Sequence, residues 1–173
     1  MASASASIKT VTNMIPSVIK DTVAIRLWAL AKVPMLAWIR PKIVQLDDCK
    51  TVVRIPLNRR TKNHLNSMYF GTLACGADIA GALIAMRHID KSKEKISLVF
   101  KDFKAEFLKR PESDILFTCT DGKLVENLVA DAIKTGERVS ETVHVVATCP
   151  SKFGDEPVAK FELTLSLKKK AKG

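Results

Sequence analysis

The 173-residue chain is long enough to bury a hydrophobic core as one domain, and its 47% apolar and 27% charged residues are typical of globular proteins. Its formal net charge of +10 is concentrated in residues 1–62, where eleven Lys or Arg and three Asp leave +8. A basic N-terminal region of this kind could bind nucleic acid, an anionic membrane or a phosphorylated ligand. Aromatic residues are not interleaved with the basic ones, so we expect no nucleic-acid partner.

The N-terminal region predicts a tail over residues 1–12 and a helix over residues 16–33, which Pro34 should end. No continuous apolar segment follows a charged start, so we expect a cytoplasmic protein, and the first twenty residues give only a weak signal for organellar import. Basic residues and Pro34 interrupt the apolar stretch 23–39, so we expect no stable membrane insertion. We favour a helix that packs against the domain. The alternative is a basic amphipathic element on a membrane surface.

The rest of the chain alternates between β periodicity and two helical stretches. Asp47-Asp48 is favourable turn chemistry and predicts a hairpin between the first two strands. In the third strand the inward phase changes at Lys101-Asp102, which predicts a β-bulge. The expected strands cover residues 42–46, 51–57, 96–108, 114–120, 139–149 and 161–167, and the expected helices cover 69–88 and 124–133. This order predicts an α+β fold with a mostly antiparallel sheet.

The four cysteines are far apart in sequence and form no CxxC pair: Cys49, Cys75, Cys119 and Cys149. No histidine lies at a spacing that would complete a zinc site. We therefore expect buried, reduced thiols and neither a metal nor a cofactor.

Asp78 is the anomalous residue of the helix over 69–88, which is otherwise apolar or small all the way round. A helix of that kind is buried, and Gly71, Gly76 and Gly81 predict a close approach by another backbone. None of the residues three or four positions from Asp78 can pair with its carboxylate, and a buried unpaired carboxylate is costly. It should therefore face a ligand pocket. Two alternatives remain open: a helix break at Gly76 that makes Asp78 an N-cap, or an ion pair with another element.

The run from Arg59 to Asp78, RRTKNHLNSMYFGTLACGAD, resembles the hotdog-fold thioesterases, and most of all the PaaI-like branch and its DUF4442 relatives. In PaaI-like enzymes an Asn precedes a His-Gly-Gly turn that opens the central helix, and an acid follows inside it. Asn63 and Asp78 are 15 positions apart, as in that family, while Tyr69-Phe70-Gly71 replaces His-Gly-Gly. The resemblance implies an N-terminal tail and helical extension over residues 1–40. It also implies a hotdog domain over residues 41–173, in which the sheet wraps a central apolar helix.

The same resemblance implies hydrolysis of an acyl-CoA thioester, with Asp78 as general base or nucleophile. Asn63 would hold the water or the carbonyl, and Tyr69 would donate a further hydrogen bond. The oxyanion donor would be the backbone N–H of Phe70, at the helix start with Gly71.

Coenzyme A carries several phosphate charges, so Arg59, Arg60 and Lys62 would line its entrance, unless they form an ordinary solvated loop. Hotdog domains generally pair, so the resemblance also implies a homodimer or a dimer of dimers.

Two rival functions have to be weighed against the residues. The Tyr69-Phe70 replacement favours a non-catalytic module that binds fatty acyl groups or acyl-CoA. A hotdog dehydratase would need a His paired with an acid, and His64, His88 and His144 show no matching motif.

Overall fold

Six antiparallel strands form one sheet that packs around a long central helix in the computed structural model, which describes residues 17–171. The predicted α+β fold is therefore confirmed, while the tail expected over residues 1–12 lies outside the described residues. The strands are β1 (Lys42–Leu46), β2 (Thr51–Ile55), β3 (Ile96–Phe107), β4 (Ile115–Cys119), β5 (Arg138–Thr148) and β6 (Pro157–Lys169). The helices are α1 (Ser17–Lys32), α2 (Pro34–Trp38), α3 (Phe70–Ser92), α4 (Gly122–Thr135) and α5 (Pro150–Phe153).

The strand order is β1-β2-β4-β5-β6-β3, so β1 and β3 are the two edges of the sheet. The predicted hairpin is confirmed, since β1 and β2 pair antiparallel around the Asp47-Asp48 turn. The predicted bulge is confirmed too, because the β3–β6 register shifts between Phe100 and Asp102. Within the described sheet β3 pairs with β6 alone, so a twelve-residue strand has an open edge.

The central helix α3 runs without a break through Gly76, and it continues one turn beyond the predicted end before Lys93 adopts a left-handed conformation. The ring of Phe117 lies where a Cβ of Gly76 would be. The expected close approach therefore occurs there, although a side chain rather than a backbone makes it. Gly81 leaves room for a Cβ, 3.4 Å from Val143 Cγ2. Among the described helices α3 alone has the length and hydropathy of a membrane span, and over half of that stretch is buried inside the fold.

The N-terminal helices pack against the domain, as the favoured interpretation predicted. Ile25 and Ala29 of α1 belong to the same hydrophobic core as the sheet, together with Leu36 of α2. The hydroxyl of Thr22 accepts a hydrogen bond of 3.0 Å from the N–H of Ile43, which joins α1 to β1.

The turn between β1 and β2 is fixed to the second half of α3. The Asp48 carboxylate accepts hydrogen bonds from Arg87 and Lys91, and these bonds lower the pKa of Asp48 to about 2. His88 is buried, with its Nε2 2.9 Å from the Asp48 carbonyl oxygen. Cys49 is exposed in this turn and Cys75 in α3 is only half-buried, so the expectation of four buried thiols holds for Cys119 and Cys149 and is wrong for Cys49.

Candidate functional site

Asp78 lies inside α3, eight residues after the helix begins. Because α3 is continuous there, the alternative in which Asp78 caps a second helix is wrong. Its carboxylate has no hydrogen bond or ion pair with any residue of the described range 17–171, so the ion-pair alternative is not observed either.

The carboxylate of Asp78 faces a cavity of about 370 Å³ between α1, α2, α3 and the first half of β3. Apart from Asp78, every side chain that lines this cavity is apolar or aromatic; they include Trp28, Leu36, Met86 and Phe100. Burial raises the pKa of Asp78 above the ordinary value of 3.8, because an apolar wall solvates the ionised carboxylate poorly. The pKa of the Cys75 thiol, one helical turn away, is raised as well. Burial is the main cause, and the negative charge of Asp78 adds to it.

Asn63 organises the loop that leads into α3. Its Oδ1 accepts hydrogen bonds from the N–H of Leu65 at 2.9 Å and from the N–H and the hydroxyl of Ser67, each at 3.2 Å. Its own N–H donates to the carbonyl oxygen of Ser67 at 2.8 Å. The loop thus uses the oxygen of the side-chain amide, and the Nδ2 donors make no hydrogen bond within the described chain.

The start of α3 provides free backbone donors. Tyr69 is the N-cap, and its N–H donates to the Thr61 carbonyl oxygen at 2.8 Å. The N–H groups of Phe70 and Gly71 have no acceptor among the described residues, as expected in a first helical turn. The rings of Tyr69 and Phe70 pack at 4.8 Å and are both exposed. Free N–H groups and the helix dipole make this end of α3 favourable for negative charge.

A second cavity, of about 590 Å³, brings Asn63, Tyr69 and Phe70 together with the chain after β3. Asp78 does not line it. Eight residues of helix separate Phe70 from Asp78 by about 12 Å along the axis, so one chain holds the predicted site residues in two separate places.

None of the three predicted phosphate-binding residues lines the cavity that holds Asn63. Arg59 is exposed, the guanidinium of Arg60 lies 4.7 Å from the centre of the Trp38 ring, and Lys62 Nζ donates to Asn66 Oδ1 at 2.8 Å. Their binding role stays a prediction.

The basic residues that do line this cavity are Lys109 and Arg110, which our reading of the sequence missed. Arg110 also donates to the Leu65 carbonyl oxygen at 2.7 Å and so supports the Asn63 loop. His64, which the sequence places in a polar loop, lines the cavity as well. Two adjacent cations directly after a long strand were a possible sign of this role in the sequence. Only the folded structure, however, brings them beside Asn63.

The profile of a domain of unknown function, DUF4442, matches residues 22–166. The chain belongs to the DUF4442 family. No curated protein sequence matches this DUF4442 chain significantly.

Solved structures similar to the DUF4442 chain include several proteins described as thioesterases. One is a protein of unknown function from Pseudomonas aeruginosa, described as a probable thioesterase, with 19% identity and a TM-score of 0.72 over 86% of this chain and 96% of that one. A protein of unknown function from Chlorobaculum tepidum has 12% identity and a TM-score of 0.76, covering 88% and 97% of the two chains. A thioesterase from Haemophilus influenzae has 14% identity and a TM-score of 0.58, covering 81% and 86%. At these identities the likeness shows the fold alone, and it confirms the hotdog fold that the sequence predicts.

Proposed function

We propose that this DUF4442 protein hydrolyses acyl-CoA thioesters. The observation that carries the proposal is the unpaired Asp78 carboxylate in the wall of an otherwise apolar cavity. Within residues 17–171 no partner explains a carboxylate in this position, and such a group is suited to act on a bound molecule. The cavity volume lies within the range of about 300–1,000 Å³ that is usual for small-molecule sites, and its apolar lining suits an acyl chain.

In the proposed reaction the thioester carbonyl oxygen points at the free N–H groups of Phe70 and Gly71. These donors and the helix dipole stabilise the negative charge that develops on the oxygen. Asp78 takes a proton from a water that attacks the carbonyl carbon. Alternatively, Asp78 attacks that carbon itself and forms an anhydride as the thiolate leaves, and water then hydrolyses the anhydride to release the acid and restore the carboxylate. The C–S bond then breaks, and the coenzyme A thiolate leaves and takes up a proton. We assign the Asn63 amide and the Tyr69 hydroxyl the role of holding the carbonyl or the water.

A second copy of the chain would bring the separated residues together. The Asp78 cavity contains Leu98, Val99 and Phe100 of β3, whereas the Asn63 cavity contains Phe107 and the four residues that follow it. If the open edges of two β3 strands pair antiparallel about a twofold axis near residue 103, residue 99 of one copy lies opposite residue 107 of the other. Each Asp78 cavity then adjoins the Asn63 cavity of the other copy.

The edge of β3 supports this pairing. A long strand with one open edge and exposed apolar side chains is a template for another strand, and Val99 and Phe107 are both about half exposed. The coenzyme A phosphates would meet Lys109 and Arg110, with Arg59, Arg60 and Lys62 as the cations predicted from the sequence.

A screen of acyl-CoA chain lengths with detection of free thiol tests the proposed activity. We expect thiol release above the uncatalysed rate for at least one chain length. Binding of acyl-CoA without thiol release would instead support a non-catalytic acyl carrier. That second candidate is favoured by one observation, the large exposed ring of Phe70 at the residue that carries a proposed oxyanion donor, where the PaaI-like turn has a glycine.

The proposed pairing predicts that Val99→Lys converts a dimer to a monomer in light scattering and lowers thiol release by about tenfold or more. A lysine on the edge opposes strand pairing because its charge would have to be desolvated. Val44→Lys is the matched control, because Val44 lies on the opposite edge strand β1 with a similar exposure, 49% against 46% for Val99. A Val99→Lys protein that stays dimeric would exclude the β3 interface.

A further inference from the structure

Helix α1 has apolar residues on two opposite sides. One side packs Ile25 and Ala29 into the core. The opposite side carries four large apolar residues at spacings of three and four, which places them in one stripe along the helix. We call this the outer stripe: Ile19, Val23, Leu27 and Leu30. Each of the four is at least half exposed. Packing within the described chain therefore does not explain why these four positions are apolar.

Helix α2, which follows α1 directly, carries two further large apolar side chains that are mostly exposed, Met35 and Trp38. Six large apolar side chains are thus exposed on these two adjoining helices. An exposed apolar stripe of this kind often marks a binding site for a protein or a membrane. The partner that binds this stripe must also be compatible with the charged residues of the two helices.

The segment that carries the outer stripe is strongly cationic. Residues 17–42 contain five Lys or Arg and one Asp, a net charge of +4. None of these charged side chains forms an ion pair within residues 17–171. On a helix of 3.6 residues per turn, Lys20 and Arg26 flank the stripe on its two sides. The preceding residues 1–16 add Lys9 and no acid.

This charge argues against a second copy of the chain as the occupant. Two outer stripes in contact would bring +4 against +4, and like charges across an interface are unfavourable. An anionic lipid surface has the opposite sign and accepts the apolar stripe between its headgroups. The indole of Trp38 suits the boundary between headgroups and acyl chains, and long Lys and Arg side chains can reach the phosphates while their stems stay apolar.

We propose that α1 and α2 dock the protein on anionic membranes, with the outer stripe in the headgroup region. The helices lie on the surface and do not cross it, since the other side of α1 stays packed on the domain. The inference does not depend on thioester hydrolysis, because it rests on a face of α1 that points away from the Asp78 cavity.

The test is co-sedimentation of the full chain with large vesicles of phosphatidylcholine alone, or of phosphatidylcholine mixed with phosphatidylserine. We expect binding to the mixed vesicles, weaker binding to the neutral ones, and a decrease as salt is raised. Leu27→Glu should reduce binding to the mixed vesicles by about tenfold or more, because it puts an acid into the apolar contact. Leu65→Glu is the matched control, since Leu65 is similarly exposed, 52% against 62%, but lies in the loop before α3.

Leu30→Glu provides a second variant on the same stripe in case Leu27→Glu does not fold, and the melting temperature of each variant is measured first. The proposal is overturned if the parent chain does not co-sediment with the mixed vesicles. It is equally overturned if Leu27→Glu and Leu30→Glu both bind the mixed vesicles as strongly as Leu65→Glu does. It is also overturned if these variants lose a dimer in light scattering without vesicles. That result would assign the stripe to a second copy.

Discussion

Asp78→Asn is expected to lower the rate of acyl-CoA hydrolysis by about 10³-fold and to leave the fold intact. Asparagine has nearly the same shape as aspartate, but it can neither accept the proton of the attacking water nor act as a nucleophile. Thiol release under single-turnover conditions measures the effect. Comparison of the circular dichroism spectra of the two proteins checks that the fold is unchanged.

The same substitution should raise stability at neutral pH. The folded-state pKa of Asp78 lies above the ordinary 3.8, so the folded protein holds this proton more tightly than the unfolded chain does. Stability contributed by the protonated carboxyl is therefore fully present below 3.8 and is lost as pH rises through the folded pKa. Asp78→Asn removes that loss, so its advantage in melting temperature should be present at pH 7 and should narrow as the pH approaches 3.8.

Asp90→Asn is the matched control, because Asp90 lies on the same helix but is exposed and outside both parts of the proposed site. It should leave the rate of thiol release unchanged. Thiol release by Asp78→Asn at the parent rate would remove Asp78 from the mechanism. A binding function would then be the better account of the cavity.

Gly76→Ala is expected to destabilise the protein by about 2–3 kcal/mol in urea unfolding, although alanine favours a helix more than glycine does. The added methyl would overlap the ring of Phe117, which is fully buried in the sheet behind the helix. The ring has no solvent to move into, so the helix and the sheet must separate.

Gly81→Ala, five residues along the same helix, is the control that isolates this packing effect. A methyl at Gly81 would make an ordinary contact with Val143, so the helix propensity should dominate and stability should stay level or rise by up to about 1 kcal/mol. Equal losses in the two variants would contradict the assignment of Gly76 as the point of closest approach.

Much of the sheet was predictable because each strand alternates with a period of two. The bulge in β3 followed from the change of phase at Lys101-Asp102, which a continuous strand cannot accommodate without an extra residue. The last turn of α3 was missed, because Ile89 is followed only by polar residues, which have no apolar pattern to mark them as helix. The one-turn helix α5 was missed for a related reason, since Pro150–Phe153 is too short to show a period.

Asp78 could be found from sequence because it is an anomaly in its own helix, where none of its helical neighbours can pair with it. The support that Arg110 gives to the Asn63 loop could not be found from sequence. Arg110 and Leu65 are forty-five positions apart, and only the folded chain brings them together. The shift of phase that predicted the bulge says nothing about which loop lies beside the end of the strand.

The unbroken run of α3 from Phe70 to Asp78 also limits which lengths of chain the proposed site tolerates. In the proposed pair, each helix carries the donors of one site and the carboxylate of the other. One residue inserted or deleted between them would turn every following side chain by about 100° and move it by about 1.5 Å along the axis. Both sites would change at once, so the number of residues between 70 and 78 should resist change even where their identities do not.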